Sequence, residues 1–278
     1  MSSERLSRYY DEHAGALKRE LAAELSREDL KALHRKRPAA HFAVALWQFG
    51  RMGAAGTLCW RFSDPLVWVP AALVQGLTVF NLTVMLHEVV HRNVFRKPSE
   101  IGYRVLGSLY ALPTGISASQ FTRWHLDHHA GLGSDTQDPK RHRLSPKRNA
   151  RWLKLLYFTP ALFFIYFRAA GAETATYEPA LRRRIRIERL AAVVLHAAIA
   201  GALWWSGGLG VLARAYLVPV FLVFPVAFAV NRLGQHYAIT PGDVAGWSTR
   251  MRRSRFWEVV YLWSHYHLEP HDFPGVPF

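Results

Sequence analysis

The sequence predicts an all-α integral membrane protein in which four transmembrane helices form two hairpins. Three features of the 278-residue chain predict it. Four apolar segments, 39–60, 65–86, 190–206 and 209–230, approach the roughly 20 residues a helix needs to cross hydrocarbon. The links within each pair, RFSDP and SGGLG, are short enough that each pair must fold back on itself. Lys and Arg are segregated: residues 1–38 hold nine, 87–189 eighteen and 231–278 five, which is 32 of 35, and the hairpin tips hold only Arg61. Both termini and the long middle section therefore share one side, cytoplasmic by the positive-inside rule.

Taken in order, residues 1–38 read as an amphipathic cytosolic segment, with Leu6, Leu17, Leu21, Leu25, Leu30 and Leu33 at roughly helical spacing. Ser26 with Asp29 forms a capping-box pattern. No apolar core of a secretory signal is present in this stretch. Residues 39–278 read as the membrane domain. Its first segment carries Arg51 near the middle, which costs about 2.5–3.5 kcal/mol on insertion scales. The runs 101–119 and 151–170 read as interfacial or re-entrant, the latter because Pro160 interrupts it. Segment 190–206 is rich in small residues suited to helix contact. Arg214, near one end of 209–230, is placed to snorkel.

The net charge of +15 is thus mostly a label for one membrane side, and a nucleic-acid partner is not expected. A single Cys excludes a disulfide scaffold, a CxxC zinc site and a Cys-ligated iron–sulfur cluster.

Nine of the 14 His gather on the basic side: His87 and His91 in HEVVH, His125, His128 and His129 in HLDHH, His265, His267 and His271 in HYHLEPH, and His236 in NRLGQHY. Helical residues three or four apart share a face about 5–6 Å apart. His87 and His91 pair in this way, and HLDHH puts three imidazoles on one face. Imidazole suits Fe, Zn, Cu and Ni. Eight or nine converging His exceed what one metal takes, so two metals are the natural count. HEVVH also matches the HExxH zinc-protease pattern, with Glu88 as base, but that reading leaves most of the His unused.

These motifs, with HEVVHRNVF, WHLDHHAGLGSDTQDP and HYHLEPHDFPGVPF around them, resemble the membrane fatty acid desaturase family over about residues 60–278. The resemblance implies four transmembrane helices under a cytosolic helical cap that holds two Fe ions. It implies His87, His91, His125, His128, His129, His236, His267 and His271 as ligands; His265, where relatives more often carry Asn, is a ninth candidate that would replace a missing donor in the third box. It also implies O2-dependent oxidation of an acyl chain, desaturation ahead of lipid or carotenoid hydroxylation. The third box departs from the family's HLEHH: Pro270 stands at a ligand position and offers no donor, which also leaves a degenerate, non-catalytic site as a reading. Relatives usually continue beyond Phe278, so a truncated cap is a further expectation.

The expected partners are the bilayer, an acyl-lipid or acyl-thioester substrate, and a separate ferredoxin-like or cytochrome b5-like electron donor. The chain carries no GxGxxG and no fused cytochrome b5-like motif. Arg141, Lys147, Arg148, Arg151, Arg182, Arg183 and Arg184 form a basic face suited to such a donor or to anionic lipid. Asp138 before Pro139 reads as a turn. Asn231 reads as a helix cap or a holder of metal-bound water. Glu88, Asp127 and Glu269 read as imidazole-orienting or solvated groups. His196 reads as an interhelical hydrogen-bonding group, and Trp124 as packing.

Overall fold

A computed structural model describes residues 8–146, 148, 150–236, 243–249, 251–267, 271, 273 and 275–277. Pro270, Glu269 and Lys147 lie outside the described residues, and so does the chain end at Phe278. The described residues form helices and turns, with no strand among them. Helices α1 (Arg8–Ala23) and α2 (Arg27–Leu33) precede two long antiparallel pairs. Ser26 caps α2, its Oγ accepting from the Asp29 N–H at 3.0 Å and donating to Asp29 Oδ2 at 2.7 Å. That is half of the expected reciprocal box.

The first pair is α3 (Pro38–Arg61) and α4 (Pro65–Val90). Asp64 starts α4 by accepting the Leu66 N–H at 2.9 Å, and Pro65 occupies the first helical position, where its missing N–H costs nothing. Gln48 Oε1 accepts from Asn81 Nδ2 at 3.4 Å across this hairpin.

The second pair begins with α9 (Pro179–Leu212), which shows non-helical dihedrals at Gly207 and Gly208. Gly208 has φ +67°, which only glycine adopts freely. A π-helical stretch, Ala213–Val223, and α10 (Phe224–Gln235) follow. His196 Nδ1 lies 2.7 Å from the Tyr216 hydroxyl, 20 residues on, so the chain folds back at the glycines. His196 Nε2 also donates to Leu112 O at 2.9 Å, the interhelical role expected of it.

The two tips lie side by side. Trp60 Nε1 donates to Ser206 Oγ at 3.1 Å, and Arg214 Nε to Cys59 O at 3.2 Å. The pairs pack so closely that a Cβ on Gly76 would stand 2.4 Å from Val223 Cβ and 2.6 Å from Pro219 O. Only glycine permits this approach.

By length and apolarity, Pro65–Val90 and the bent run Pro179–Gln235 are candidate membrane spans. The latter holds both segments that the sequence separated at SGGLG. A third candidate exists if α7 (Arg151–Leu155) with the short turn after it and α8 (Ala161–Thr174) count as one broken span, bent by 97°. The bend falls at the predicted Pro160 interruption. Helix α3, with His41, Gln48 and Arg51, does not qualify. Leu66, Leu73, Val193, Val194 and Trp205 are exposed on the outer faces, as a hydrocarbon solvent permits.

Helices α5 (Glu100–Ala111), α6 (Ala118–Gly131) and α11 (Arg255–Tyr261) gather with α1 and α8 around the far end of α4 and α10. Helix α5 has 12 residues, too few to cross a bilayer. It exposes Ile101, Val105 and Leu109 on one face while burying Tyr103, Leu106 and Tyr110 on the other.

Candidate metal centre

The His boxes converge at the end of α4 opposite the hairpin tips, about 33 Å from Pro65 at about 1.5 Å per residue. The last turns of α4 are buried, and they present His87 and His91 from one face. Helix α6 is fixed at its start by Ser117, which accepts the Gln120 N–H at 3.0 Å. Glu188 of α9 reaches the same turn, accepting from Ser117 Oγ at 2.6 Å, Ser119 N at 2.8 Å and Ser119 Oγ at 2.6 Å. A carboxylate at a helix N-terminus also meets the positive end of the helix dipole. The helix that carries three of the His is thereby anchored to its neighbour.

The imidazoles form two groups of four. His87, His91, His125 and His129 make one, and His128, His236, His267 and His271 the other; within each group the donor atoms lie within 4.8 Å of one another. The three His of α6 share a face, as the spacing predicts, but they divide between the groups. His125 and His129, four residues apart, stay together, while the 100° step between 128 and 129 aims His128 at the second group. The groups touch where His129 stacks on His271, with ring centroids 4.0 Å apart. His265 belongs to neither group; it is buried, with its ring tilted against Tyr266 at 4.1 Å between centroids. Two residues from His267, it leaves the chain in a different direction.

Several contacts show that these groups fit metal ions. Nε2 atoms face each other at 3.0 Å (His91–His125), 3.3 Å (His128–His236), 3.0 Å (His236–His267) and 3.1 Å (His267–His271). Two imidazole nitrogens sharing one metal at about 2.1 Å stand about 3.0–3.4 Å apart. His129 Nε2 is buried with no hydrogen-bond partner among the described residues, an arrangement that costs stability unless a ligand takes the lone pair.

The outer nitrogens are held. His128 Nδ1 donates to Asp138 Oδ1 at 2.8 Å, and His236 Nδ1 to Trp247 O at 3.1 Å. Such partners fix the tautomer and aim Nε2 inward. Lys140 Nζ lies 3.0 Å from His125 Nδ1.

Burial pushes His125, His128, His129, His267 and His271 well below the usual imidazole range, and repulsion from Lys140 and neighbouring rings adds to it. His236 is held at about 3 by burial, then by Arg232 and Lys140. At neutral pH these rings are unprotonated, which is the ligating form. Burial also pushes Lys140 well below the usual lysine range.

Some roles differ from those expected. Asp138 does make a turn, its Oδ1 accepting the Lys140 and Arg141 N–H groups at 2.9 and 3.3 Å, but it also orients His128. Sequence reasoning missed this because His128 and Asp138 are ten residues apart. Asp127 does not orient a ring; it pairs with Arg123 at 2.9 Å. Asn231 does not cap its helix; its Nδ2 donates to Ser264 Oγ at 2.8 Å, and it lines the same cavity as His87, His125 and His267. Glu88 Oε1 lies 4.0 Å from His87 Nδ1 and lines a separate cavity with Arg35 and Arg37. Trp124 packs on Tyr166 at 5.4 Å, as expected.

A narrow cavity of about 70 Å³ reaches His87, His125 and His267 between Phe80, Val84, Trp124 and Phe228. It shares Thr83, Phe121, Tyr166 and Phe228 with an almost wholly apolar pocket bounded by Ile116, Leu162, Phe163 and Phe224. His87, His125 and His267 thus border a narrow, mostly apolar slot.

Comparison with known proteins agrees with this arrangement. The fatty acid desaturase family model matches residues 63–278. Human sphingolipid delta(4)-desaturase/C4-monooxygenase DES2 is 26% identical over 260 residues, covering 89% of this chain and 73% of the relative. Sphingolipid delta(4)-desaturase DES1 of Drosophila melanogaster is 26% identical over 240 residues, covering 83% and 70%.

Proposed function

Because the chain belongs to the fatty acid desaturase family, we propose that its two four-imidazole groups each hold one iron and that the apolar slot presents an acyl chain to them. The protein is a membrane desaturase-like oxidoreductase that oxidises a lipid acyl chain. The observation that carries the site assignment is that both groups reach the slot, His87 and His125 from one and His267 from the other. Family membership leaves the zinc-protease reading of HEVVH without support.

Under this reading His87, His91, His125 and His129 hold one iron, and His128, His236, His267 and His271 the other. The iron pair supplies the O2-derived oxidising power that an unactivated methylene demands. Overall, a CH2–CH2 unit, O2, two electrons and two protons give CH=CH and two waters. An external ferredoxin-like or cytochrome b5-like donor provides the electrons, because the chain offers no redox motif of its own.

The protein's own residues position and shield. Phe121, Tyr166 and Phe228 hold the chain straight past the imidazoles and keep bulk water out. Near-contact placement of the reacting carbon is worth a large part of the barrier. His265 is left outside the ligand set, and eight imidazoles complete both groups without a donor from position 270. Four crossings, a cytosolic cap holding the site, an N-terminal segment to residue 38 and cytoplasmic termini complete the proposal; the paired hairpins with adjacent tips and the basic His-bearing end support it.

Lipid profiling of a host expressing the chain tests the reading. A new acyl double bond is expected, lost when His91 and His267 are each replaced by Ala. An alcohol at the same carbon supports the second reading, hydroxylation, to which the name of the human relative gives weight. An unchanged lipid profile with full expression contradicts both.

A further inference from the structure

Helix α1 lies against α6 and the turn Val244–Trp247, and it brings a row of aromatic rings to the metal centre. Tyr10, Ala14, Leu132 and Trp247 form a small core of their own, with Tyr9 packed on it. Ring centroids stand 6.2 Å apart between His271 and Tyr10, 6.1 Å between Tyr10 and Trp247, and 6.0 Å between Trp247 and Tyr9. Tyr9 in turn stacks on the exposed His13 at 4.2 Å. Tyr10 and Trp247 are buried and Tyr9 is half-buried. The row therefore runs from a ring of the His128–His236–His267–His271 group to solvent.

The indole in the middle is held in place. Trp247 O accepts from His236 Nδ1 at 3.1 Å. Ser248 Oγ and the Thr249 N–H both donate to Gln235 O, at 3.2 and 3.0 Å, which pins this turn to the end of α10. Gly133 has φ +88°, and a Cβ there would stand 2.5 Å from the Trp247 ring, so only glycine leaves the indole its room.

An oxidant able to take hydrogen from a methylene can also take an electron from a phenol or an indole. O2 needs four electrons and four protons to become two waters. The donor brings two of each, and the acyl chain brings the rest as two hydrogens. In an empty slot that second half is missing, and the imidazoles themselves stand nearest the oxidant.

We propose that Tyr10, Trp247 and Tyr9 are a discharge route that spares the metal centre when O2 reacts without an acyl chain. One electron passes inward from Tyr9 through Trp247 and Tyr10. Tyr9 loses its phenolic proton to water, which balances the proton taken up at the metal centre. A soluble thiol then returns one hydrogen atom to the Tyr9 phenoxyl. Two such passes complete the two waters, and the two thiols join as a disulfide. Lys18 Nζ stands 4.5 Å from the Tyr10 ring centroid, and a cation over a ring face opposes removal of an electron from it. The oxidising equivalent therefore moves on from Tyr10 to Trp247 and Tyr9. The inference rests on the acyl-oxidation reading and goes beyond it, because it gives the route a reaction that needs no lipid substrate.

Paramagnetic resonance tests it on the full iron-loaded chain. The protein is reduced with dithionite, freed of excess, mixed with O2 without any acyl substrate and rapidly frozen. An organic-radical signal is expected that narrows when the protein carries ring-deuterated tyrosine and disappears with glutathione. Tyr9→Phe keeps the ring but not the oxidisable hydroxyl and should lose most of that signal with iron content unchanged. Tyr9→Trp should restore a glutathione-sensitive radical of indole type. Over repeated cycles Tyr9→Phe should lose iron faster than wild type, with added oxygen mapped by peptide mass to the imidazole ligands. A tyrosyl signal that survives Tyr9→Phe unchanged overturns the route, and so does a wild-type chain that consumes O2 and forms no ring radical. A wild-type chain that takes up no iron, or consumes no O2, overturns the oxidation reading and the route together.

Discussion

His129→Leu is expected to abolish product formation while making the metal-free protein more stable. Among the described residues, the buried His129 Nε2 has no hydrogen-bond partner. Such an atom costs about 1–3 kcal/mol in lost hydration, and Leu, similar in bulk, removes it. The thermal midpoint of the metal-free variant should therefore rise. With iron the sign reverses, because the substitution takes one of four donors from the His87–His91–His125–His129 group. Outer partners of metal ligands alone are worth about 10–100-fold in affinity or activity, so loss of a donor should exceed about 100-fold. Midpoints with and without iron, together with iron content, check both halves. A variant less stable without metal and still active would mean that His129 is a packing residue.

Asp138→Ala is the second large effect. One carboxylate oxygen takes the His128 Nδ1 proton and two backbone N–H groups. Removing it frees the ring to adopt the wrong tautomer and loosens the turn that carries Lys140. Iron affinity of the His128 group should fall about 10–100-fold, with activity following. Asp138→Asn keeps an acceptor oxygen and should recover part of the loss. Metal titration of the three proteins measures this, and equal affinity for all three would deny Asp138 an orienting role.

The chain announces its chemistry in short-range patterns. HEVVH puts two rings on one face of α4, and the same spacing pairs His125 with His129 and His267 with His271. RFSDP and SGGLG mark where the hairpins turn, and both were legible as short links between apolar runs; the Asp64 cap and the left-handed Gly208 are how the fold makes those turns. What stayed hidden depends on distance in sequence. The division of His128 from His129 follows from a 100° step that only matters once α10 and the third box are in place. Asp138 read as a turn because its second partner is a ring one helix away. The N-terminal hairpin helix, α3, was read as a span from its length, yet its polar residues keep it below the apolarity of α4.

The third box gives the sequence its sharpest question, since Pro270 stands where the resemblance leads one to expect a donor. That residue lies outside the described positions, but its neighbours His267 and His271 meet His128 and His236 in a four-donor group. Metal stoichiometry is therefore the most direct test of the site. Purified full-length protein, saturated with ferrous iron under anaerobic conditions and freed of excess, is expected to retain two irons per chain. Pro270→His should leave that number unchanged. One iron or none per wild-type chain, rising when Pro270 becomes His, would contradict the two-group site.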